Sequence, residues 1–410
     1  MPDTIHLLNY AELLVKTGLH LQKGQELVIR CPIECASFGR MIAEQAYKAG
    51  AKEVIMLWND EQFSKIKYTY SPLEVFESVP GWVAESNNYY ARRGAAFLSI
   101  SASDPDLFQS VDSKKLDAYT KASFLAFKPF YDILDVNGIA WNVASVPTAA
   151  WAKKVYPDCS EEEAIEKLWQ AILKAVRADQ DDPVAAWKEH QAYLQEKTAY
   201  LNQKQFASLH FTASNGTDLH IGLPQQHLWM GGGETTTDGL FFFPNMPTEE
   251  VFCLPHRMEV NGTAVASMPL SYQGSLIEDF SLTFQNGKVV AYQAKKGEEA
   301  LKRLLETDEG ASRLGEVALV PYHSPISEMH TLFYNTLFDE NAACHLALGR
   351  AYASCLNGGL HMSKEELKEA GANDSMVHVD FMIGTSDLKI VAADYDGEET
   401  ILFQNGDWAI

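Results

Sequence analysis

Residues 373–384 read NDSMVHVDFMIG, with an imidazole, His378, and a carboxylate, Asp380, two positions apart in a run that is otherwise apolar. The flanking Val377, Val379, Phe381, Met382 and Ile383 predict a buried β-strand. Strand side chains alternate faces, so His378 and Asp380 project from the same face, one pleat apart. Either the two satisfy each other as a core pair, or they share a cation.

Three further segments set ligand-type residues in apolar surroundings. FFFPNMPTEEVFCLP (241–255) carries Glu249 and Glu250, and LGEVALVPYHSPIS (314–327) carries Glu316 at the head of a strand. LFDENAACHLALGRAYASCL (337–356) carries Glu340, His345 and Tyr352. In the last segment the spacing predicts a helix, with His345 and Tyr352 about two turns apart on one face at ~3.6 residues per turn. Asn341 is its expected N-cap, leaving Glu340 in the loop before it. Each residue also has an ordinary structural reading: surface charges for Glu249 and Glu250, a solvated strand start for Glu316, a first-turn acid for Glu340, a packing imidazole for His345. Together, Glu250, Glu316, Glu340, His345, His378 and Asp380 supply four carboxylates and two imidazoles. That is the complement of two divalent ions ~3.5–4 Å apart. An oxygen-and-nitrogen set without thiolate suits zinc, cobalt or manganese. Cys344, beside His345, reads as a small core residue.

The elements that must position these groups fall into two kinds. KGQELVIRC, a helix through AEQAYKAG, and KEVIMLWN make a βαβ unit, and the alternation continues through GAAFLSISA and GIAWNVASVP. Residues 1–203 are therefore expected to form an α/β domain with a mainly parallel sheet, closing on polar helices at 160–176 and 182–203. The first strand-helix turn, CPIECAS, lacks the glycines of a nucleotide site, and GGGE at 231–234 reads as a flexible loop. Residues 204–410 read as an α+β domain of antiparallel strands that carries the metal-type residues. Hairpin turns are expected at Asn215-Gly216, Asn261-Gly262, Asn286-Gly287 and Asp396-Gly397.

A chain of 410 residues with 46% hydrophobic and 21% charged residues is a folded protein of two domains. Its formal charge of −22, with no basic cluster, argues against nucleic acid and favours cations. No stretch approaches the ~20 apolar residues of a membrane span, and the N-terminus lacks the pattern of a signal peptide. The six cysteines show no CxxC pair or framework spacing, which suits reduced thiols and a cytoplasmic location.

MPTEEVF, GEVALVP, ENAACHLALGRAY and DSMVHVDFMIG, in this order and separation, resemble the thermophilic-type metalloaminopeptidases, the family of aminopeptidases T, S and II. The resemblance runs over essentially the whole chain. It implies a cytoplasmic, homodimeric exopeptidase with two divalent metals, removing N-terminal residues from peptides with broad preference. The family's ligand positions fall on Glu250, Glu316, Glu340, His345, His378 and Asp380, and its metal-site tyrosine on Tyr352. After that tyrosine the chain reads ASC, where many relatives are expected to have a proline. By its chemistry, Tyr352 is the candidate to polarise the scissile carbonyl or stabilise its oxyanion. Glu249 is a weaker candidate base, because neighbours on extended chain point opposite ways. Two alternatives stand beside this reading: another binuclear amidohydrolase, although no HxH or DxH pair is read here, or a non-enzymatic binding module.

Overall fold

In the computed structural model, which describes residues 2–410, apolar runs such as ELVIR and AFLSI become parallel strands. The strands β1 (Glu26–Pro32), β2 (Glu53–Asn59), β3 (Ala96–Ser101) and β4 (Trp141–Ser145) form one parallel sheet in the order β2-β1-β3-β4. Intervening helices include Ala36–Ala49, which ends at Gly50 with φ +98°, Gly81–Ala91 and Ser113–Ala126. The helix Glu161–Ala175 starts at a full capping box between Ser160 and Glu163. This is the α/β arrangement expected from the alternating pattern.

After the long helix Pro183–Lys204 come β5 (Ser208–Thr212), β6 (Asp218–Gly222) and β7 (Met230–Gly231). The GGGE segment continues into a small hairpin of β8 (Glu234–Thr235) and β9 (Phe241–Phe242). The remaining strands are β10 (Val251–Cys253), β11 (Val260–Val265), β12 (Leu270–Tyr272), β13 (Ser275–Gln285), β14 (Lys288–Lys296), β15 (Leu314–Leu319), β16 (His345–Gly349), β17 (His378–Met382), β18 (Lys389–Ala393), β19 (Glu399–Gln404) and β20 (Asp407–Trp408).

Two antiparallel sheets result. One runs β17-β16-β15-β10-β7; the other runs β12-β13-β11-β6-β5-β18-β19-β20, with β14 paired to β13. A continuous apolar core includes Leu209, Phe211, Val317, Leu319, Leu346, Leu348 and Phe381. The expected α+β class of the second half is therefore observed.

By packing, the chain divides into residues up to Glu189 with Gly233–Pro247, and His190–Gly232 with Thr248–Ile410. Sequence placed a junction near residue 203, whereas this division falls inside the helix Pro183–Lys204. The Gly233–Pro247 segment is tied to the first unit by backbone hydrogen bonds: Val143 N–H donates to Pro244 O, Met246 N–H to Val143 O, and Phe243 N–H to Gly18 O.

Two local expectations fail. The helix predicted across 341–352 is instead the strand β16; the α-helix lies before it, at Thr336–Asp339, capped by Asn335 rather than Asn341, and is followed by a 3-10 turn at Glu340–Ala342. HLALG is a short apolar run whose periodicity fits either element, and pairing on both edges, to β15 and β17, decides for strand. Asn261-Gly262 is not a turn but lies within β11. Gly262 has φ +112°, and a Cβ there would sit 2.2 Å from Asp218 O, so the glycine permits close approach of β6. Asn215-Gly216, Asn286-Gly287 and Asp396-Gly397 do join paired strands, β5–β6, β13–β14 and β18–β19.

Candidate metal centre

The β17-β16-β15-β10-β7 sheet is a ladder whose two faces have different jobs. On β16, Leu346 and Leu348 point into the apolar core, so His345, Ala347 and Gly349 lie on the other face. Register places Glu316 of β15 and Asp380 of β17 on either side of Ala347, and His378 opposite Gly349. The small residues at the centre of this row leave room above them for the longer side chains at its edges. A register shift between Leu314 and Glu316 marks the start of β15. Glu250 arrives from the segment leading into β10, held by the Glu249 N–H, which donates to Asn341 Oδ1 at 2.6 Å.

Four of the six predicted ligands thus come from three adjacent strands and a fifth, Glu250, from the approach to a fourth strand. His345 Nε2 lies 3.1 Å from Glu250 Oε2 and 3.5 Å from Glu316 Oε1. His378 Nε2 lies 3.5 Å from Glu316 Oε2 and 3.3 Å from Asp380 Oδ1. Two sets, Glu250–Glu316–His345 and Glu316–His378–Asp380, each hold ligand atoms within 4.8 Å of one another, and Glu316 belongs to both. Glu340 falls in neither set. It stays close enough for the charges of Asp380 and Glu250, after burial, to help push its pKa well above the carboxylate range. Its Oε1 is 3.4 Å from Asn341 Nδ2.

The hydrogen bonds of the two imidazoles show what the centre is suited to hold. His345 Nδ1 lies 3.1 Å from Ala343 O, and His378 Nδ1 lies 2.7 Å from Arg350 O. A carbonyl only accepts, so each Nδ1 carries a proton, and in the neutral ring each Nε2 presents a lone pair. Those lone pairs face carboxylate oxygens, which is repulsive unless a proton or a cation intervenes. In the bare protein a proton does: burial opposes charging His345, but Glu250 and Glu316 outweigh it and raise its pKa well above the usual value. Burial likewise opposes charging His378, but Asp380 carries its pKa up to about 9. Asp380 itself resists burial and is lowered by His378. Glu316 is raised, by burial first, against the pull of His345. Asp380 Oδ1 is buried without a well-formed hydrogen bond. A carbonyl-oriented imidazole presenting Nε2 beside carboxylates is the usual outer-shell arrangement of a metal ligand, so the residues fit divalent cations. No thiolate takes part: Cys344 Sγ donates to Val320 O at 3.3 Å, and burial pushes the thiol up to about 12.

Tyr352 follows β16 in a loop, not on a helix. Its ring packs 4.8 Å from that of His378 and 6.0 Å from that of Phe252, centroid to centroid. Burial, with the charges of Glu316 and Asp380, drives the phenol well above its ordinary pKa. The residue as a whole keeps 39% of its surface exposed. The ASC after it forms a single 3-10 turn.

Glu249, in the segment before β10, belongs to neither ligand set. Its Oε2 lies 3.6 Å from His190 Nε2, which is itself 2.7 Å from Thr248 O. Sequence reading missed both His190 and Asn341 as members of this neighbourhood. Neither had a local signal, because His190 lies on the helix Pro183–Lys204, far along the chain, and Asn341 resembled a helix cap. Asn341 is fully buried; it accepts from Glu249 N and donates to Leu337 O at 2.9 Å. Gly315 is a third silent participant: a Cβ there would sit 2.4 Å from Arg350 O, the carbonyl that orients His378. The reading also overlooked a DxH pair, Asp218-Leu219-His220.

Comparison with known proteins agrees with this geometry. The family model described as thermophilic metalloprotease (M29) matches residues 4–408. The chain is 48% identical over 400 residues to aminopeptidase AmpS of Bacillus subtilis, covering 98% of this chain and 97% of that one. It is 43% identical to aminopeptidase T of Thermus thermophilus, with the same coverage. The solved structure of wild-type AmpT from Thermus thermophilus superposes with a TM-score of 0.93 at 41% identity, covering 99% of both chains. A 2,5-dihydroxypyridine dioxygenase from Pseudomonas putida, at TM-score 0.55 and 12% identity, shares the fold alone. Among the described residues no helix is long and apolar enough to cross a membrane. Matched along nearly its whole length, and carrying acidic residues and imidazoles poised for a divalent cation, the chain belongs to the thermophilic metalloprotease (M29) family, as a metalloaminopeptidase.

Proposed function

We propose that the enzyme releases N-terminal residues from peptides with broad preference, using two divalent cations held by Glu250, Glu316, Glu340, His345, His378 and Asp380. The observation that carries this reading is the sharing of Glu316 between two three-residue sets of ligand atoms. Glu316 would bridge, with His345 and Glu250 on one side and His378 and Asp380 on the other. Glu340, just outside both sets, would complete the charge. Zinc, cobalt and manganese suit these donors. Cations held by these residues would supply Lewis-acid polarisation of a carbonyl and would make a water acidic enough to be deprotonated near neutral pH.

The chain's own groups do the rest. Tyr352, kept protonated by the negative charge around it, donates its O–H to the oxygen of the scissile carbonyl as charge develops there. The excess of carboxylates attracts the α-ammonium of a peptide and disfavours a blocked terminus, which makes the action exopeptidic. Asn341 holds the Glu249–Glu250 segment in place by accepting the Glu249 N–H. The amidohydrolase and binding-module alternatives lose ground to the family match. We further propose that the β-rich unit is the catalytic domain, that the enzyme is a homodimer, and that it works in the cytoplasm on short peptides. The six reduced cysteines accord with that compartment.

The test is a comparison of leucine anilide with N-acetyl-leucine anilide on metal-loaded enzyme. The proposal predicts turnover of the first and loss of at least 100-fold on the second. Equal turnover would remove the α-amino group from recognition and favour a general amidohydrolase. Gel filtration with light scattering tests the dimer.

A further inference from the structure

Outside the catalytic cluster, the described residues contain one other group of three ligand-type side chains: His210, Asp218 and His220, whose ligand atoms lie within 4.8 Å of one another. The β5–β6 hairpin builds it. His210 and His220 are directly opposite in the register, and Asp218 is two residues before His220, so all three share a face. That face is the outer one, since the alternate residues Leu209, Phe211, Leu219 and Ile221 are fully buried in the core. The two imidazoles stack, centroids 3.7 Å apart and planes inclined by 13°. His210 Nε2 is 2.8 Å from Asp218 Oδ1.

We infer that His210, Asp218 and His220 form a separate surface site for a borderline transition-metal cation, zinc, nickel or copper(II), clamping the β5–β6 hairpin. Two imidazoles and one carboxylate are the donor types such ions prefer, and three protein ligands leave the outer positions to water. The hydrogen bond from His210 holds Asp218 in its ionised form. Burial and the neighbouring His210 lower the pKa of His220, which favours the metal-binding neutral ring. A cation at His210 Nε2 would take the place of the hydrogen bond to Asp218. The register neighbours Asn261 and Thr263 on β11 and Val391 on β18 carry no charge to repel it. The protein's formal charge of −22 raises the local concentration of cations. The hairpin needs no metal to form, because its core face and Asn215-Gly216 turn already define it, so the cation adds a cross-strand link rather than a fold.

The consequence is a metal count one higher than the catalytic centre accounts for. The test is equilibrium dialysis of chelator-stripped, full-length protein against zinc, and separately nickel, with bound metal counted in wild type, His220→Asn and Glu316→Gln. Wild type should bind one more ion than H220N, while metal-reloaded H220N keeps peptidase activity within about twofold of wild type. E316Q should lose ions from the catalytic centre and keep this one, so failure of either assignment is visible separately. Should H220N not fold, Asp218→Asn, at an exposed side chain, replaces it. Equal metal counts in wild type and the folded variant, up to about 100 µM free metal, would overturn the inference.

Discussion

Replacing Glu316 with glutamine removes one charge and almost no volume, so it separates the electrostatics of the centre from its packing. In the metal-free protein, Glu316 faces two protonated imidazoles at 3.5 Å, each worth about 5 kcal/mol of attraction at an effective dielectric near 20. It also faces Glu250 and Asp380 at no more than 4.8 Å, each repelling by at least about 3.5 kcal/mol on the same scale. The surplus attraction is at most about 2–3 kcal/mol, and the cost of burying a carboxylate, several kcal/mol, offsets it. Metal-free E316Q should therefore melt within a few degrees of metal-free wild type. With cations present the balance changes, because the substituted amide offers a neutral oxygen in place of a charged one. Breaking a buried charge pair costs about 3–5 kcal/mol, so metal affinity should fall by roughly 10²-fold to 10³-fold or more. Scanning fluorimetry with and without metal, and competition against a chromogenic chelator, read the two effects independently. An affinity within tenfold of wild type would refute the bridging role. A metal-free variant that melts far below metal-free wild type would refute the near-cancellation.

Tyr352→Phe should retain its metal, by elemental analysis, and lower kcat by about 10²-fold with a smaller change in KM, the loss expected for one oxyanion donor; an unchanged kcat would leave the phenol a structural role. Gly349→Ala meets two obstacles, φ +108° and a Cβ 2.0 Å from Val377 O. It should cost roughly 3 kcal/mol or more in a denaturant melt, and it should weaken metal binding because Gly349 is the register partner of His378. The pH dependence of the first unit is governed in part by Glu26, 7% exposed and hydrogen-bonded by Arg93 and Lys52, which hold its pKa down to about 2. A lowered folded-state pKa stabilises above the unfolded value, about 4.5, and that stability is lost as pH falls towards 2. Because both cations are largely exposed, the contribution at pH 7 is about 1–2 kcal/mol rather than the full shift. Glu26→Gln should thus melt lower than wild type at pH 7, with the difference shrinking below pH 4; a constant difference across that range would contradict the linkage.

The parts of the fold that could be read in advance were those in which local pattern and tertiary packing agree. ELVIR is apolar on both faces because the inner parallel strand β1 is covered on both, and Ser160 with Glu163 announces a helix start through its own hydrogen bonds. HVD was legible because the two-residue period puts His378 and Asp380 on one face whatever else surrounds them. CHLALG was not, since its five strand residues fit either period and only pairing to β15 and β17 chooses between them. His345 nevertheless reaches the centre, because strand alternation, like a helix face, commits it to one side. Asn261-Gly262 misled for a related reason: a glycine needed for β6 to approach closely has the same one-dimensional signature as a glycine needed to turn. Asn341, Gly315 and His190 act through contacts between segments distant in the chain, and no local pattern records such contacts.

Two cations acting in one centre are what the proposed chemistry requires. Enzyme stripped with chelator should be titrated separately with zinc, cobalt and manganese, counting bound metal while following leucine-anilide hydrolysis, in wild type and in H220N, so that an ion on the β5–β6 hairpin is not mistaken for a catalytic one. The prediction is that activity appears as the catalytic centre fills and reaches its plateau at two ions per H220N chain. Full activity at one ion per H220N chain, or activity in enzyme holding none, would contradict it.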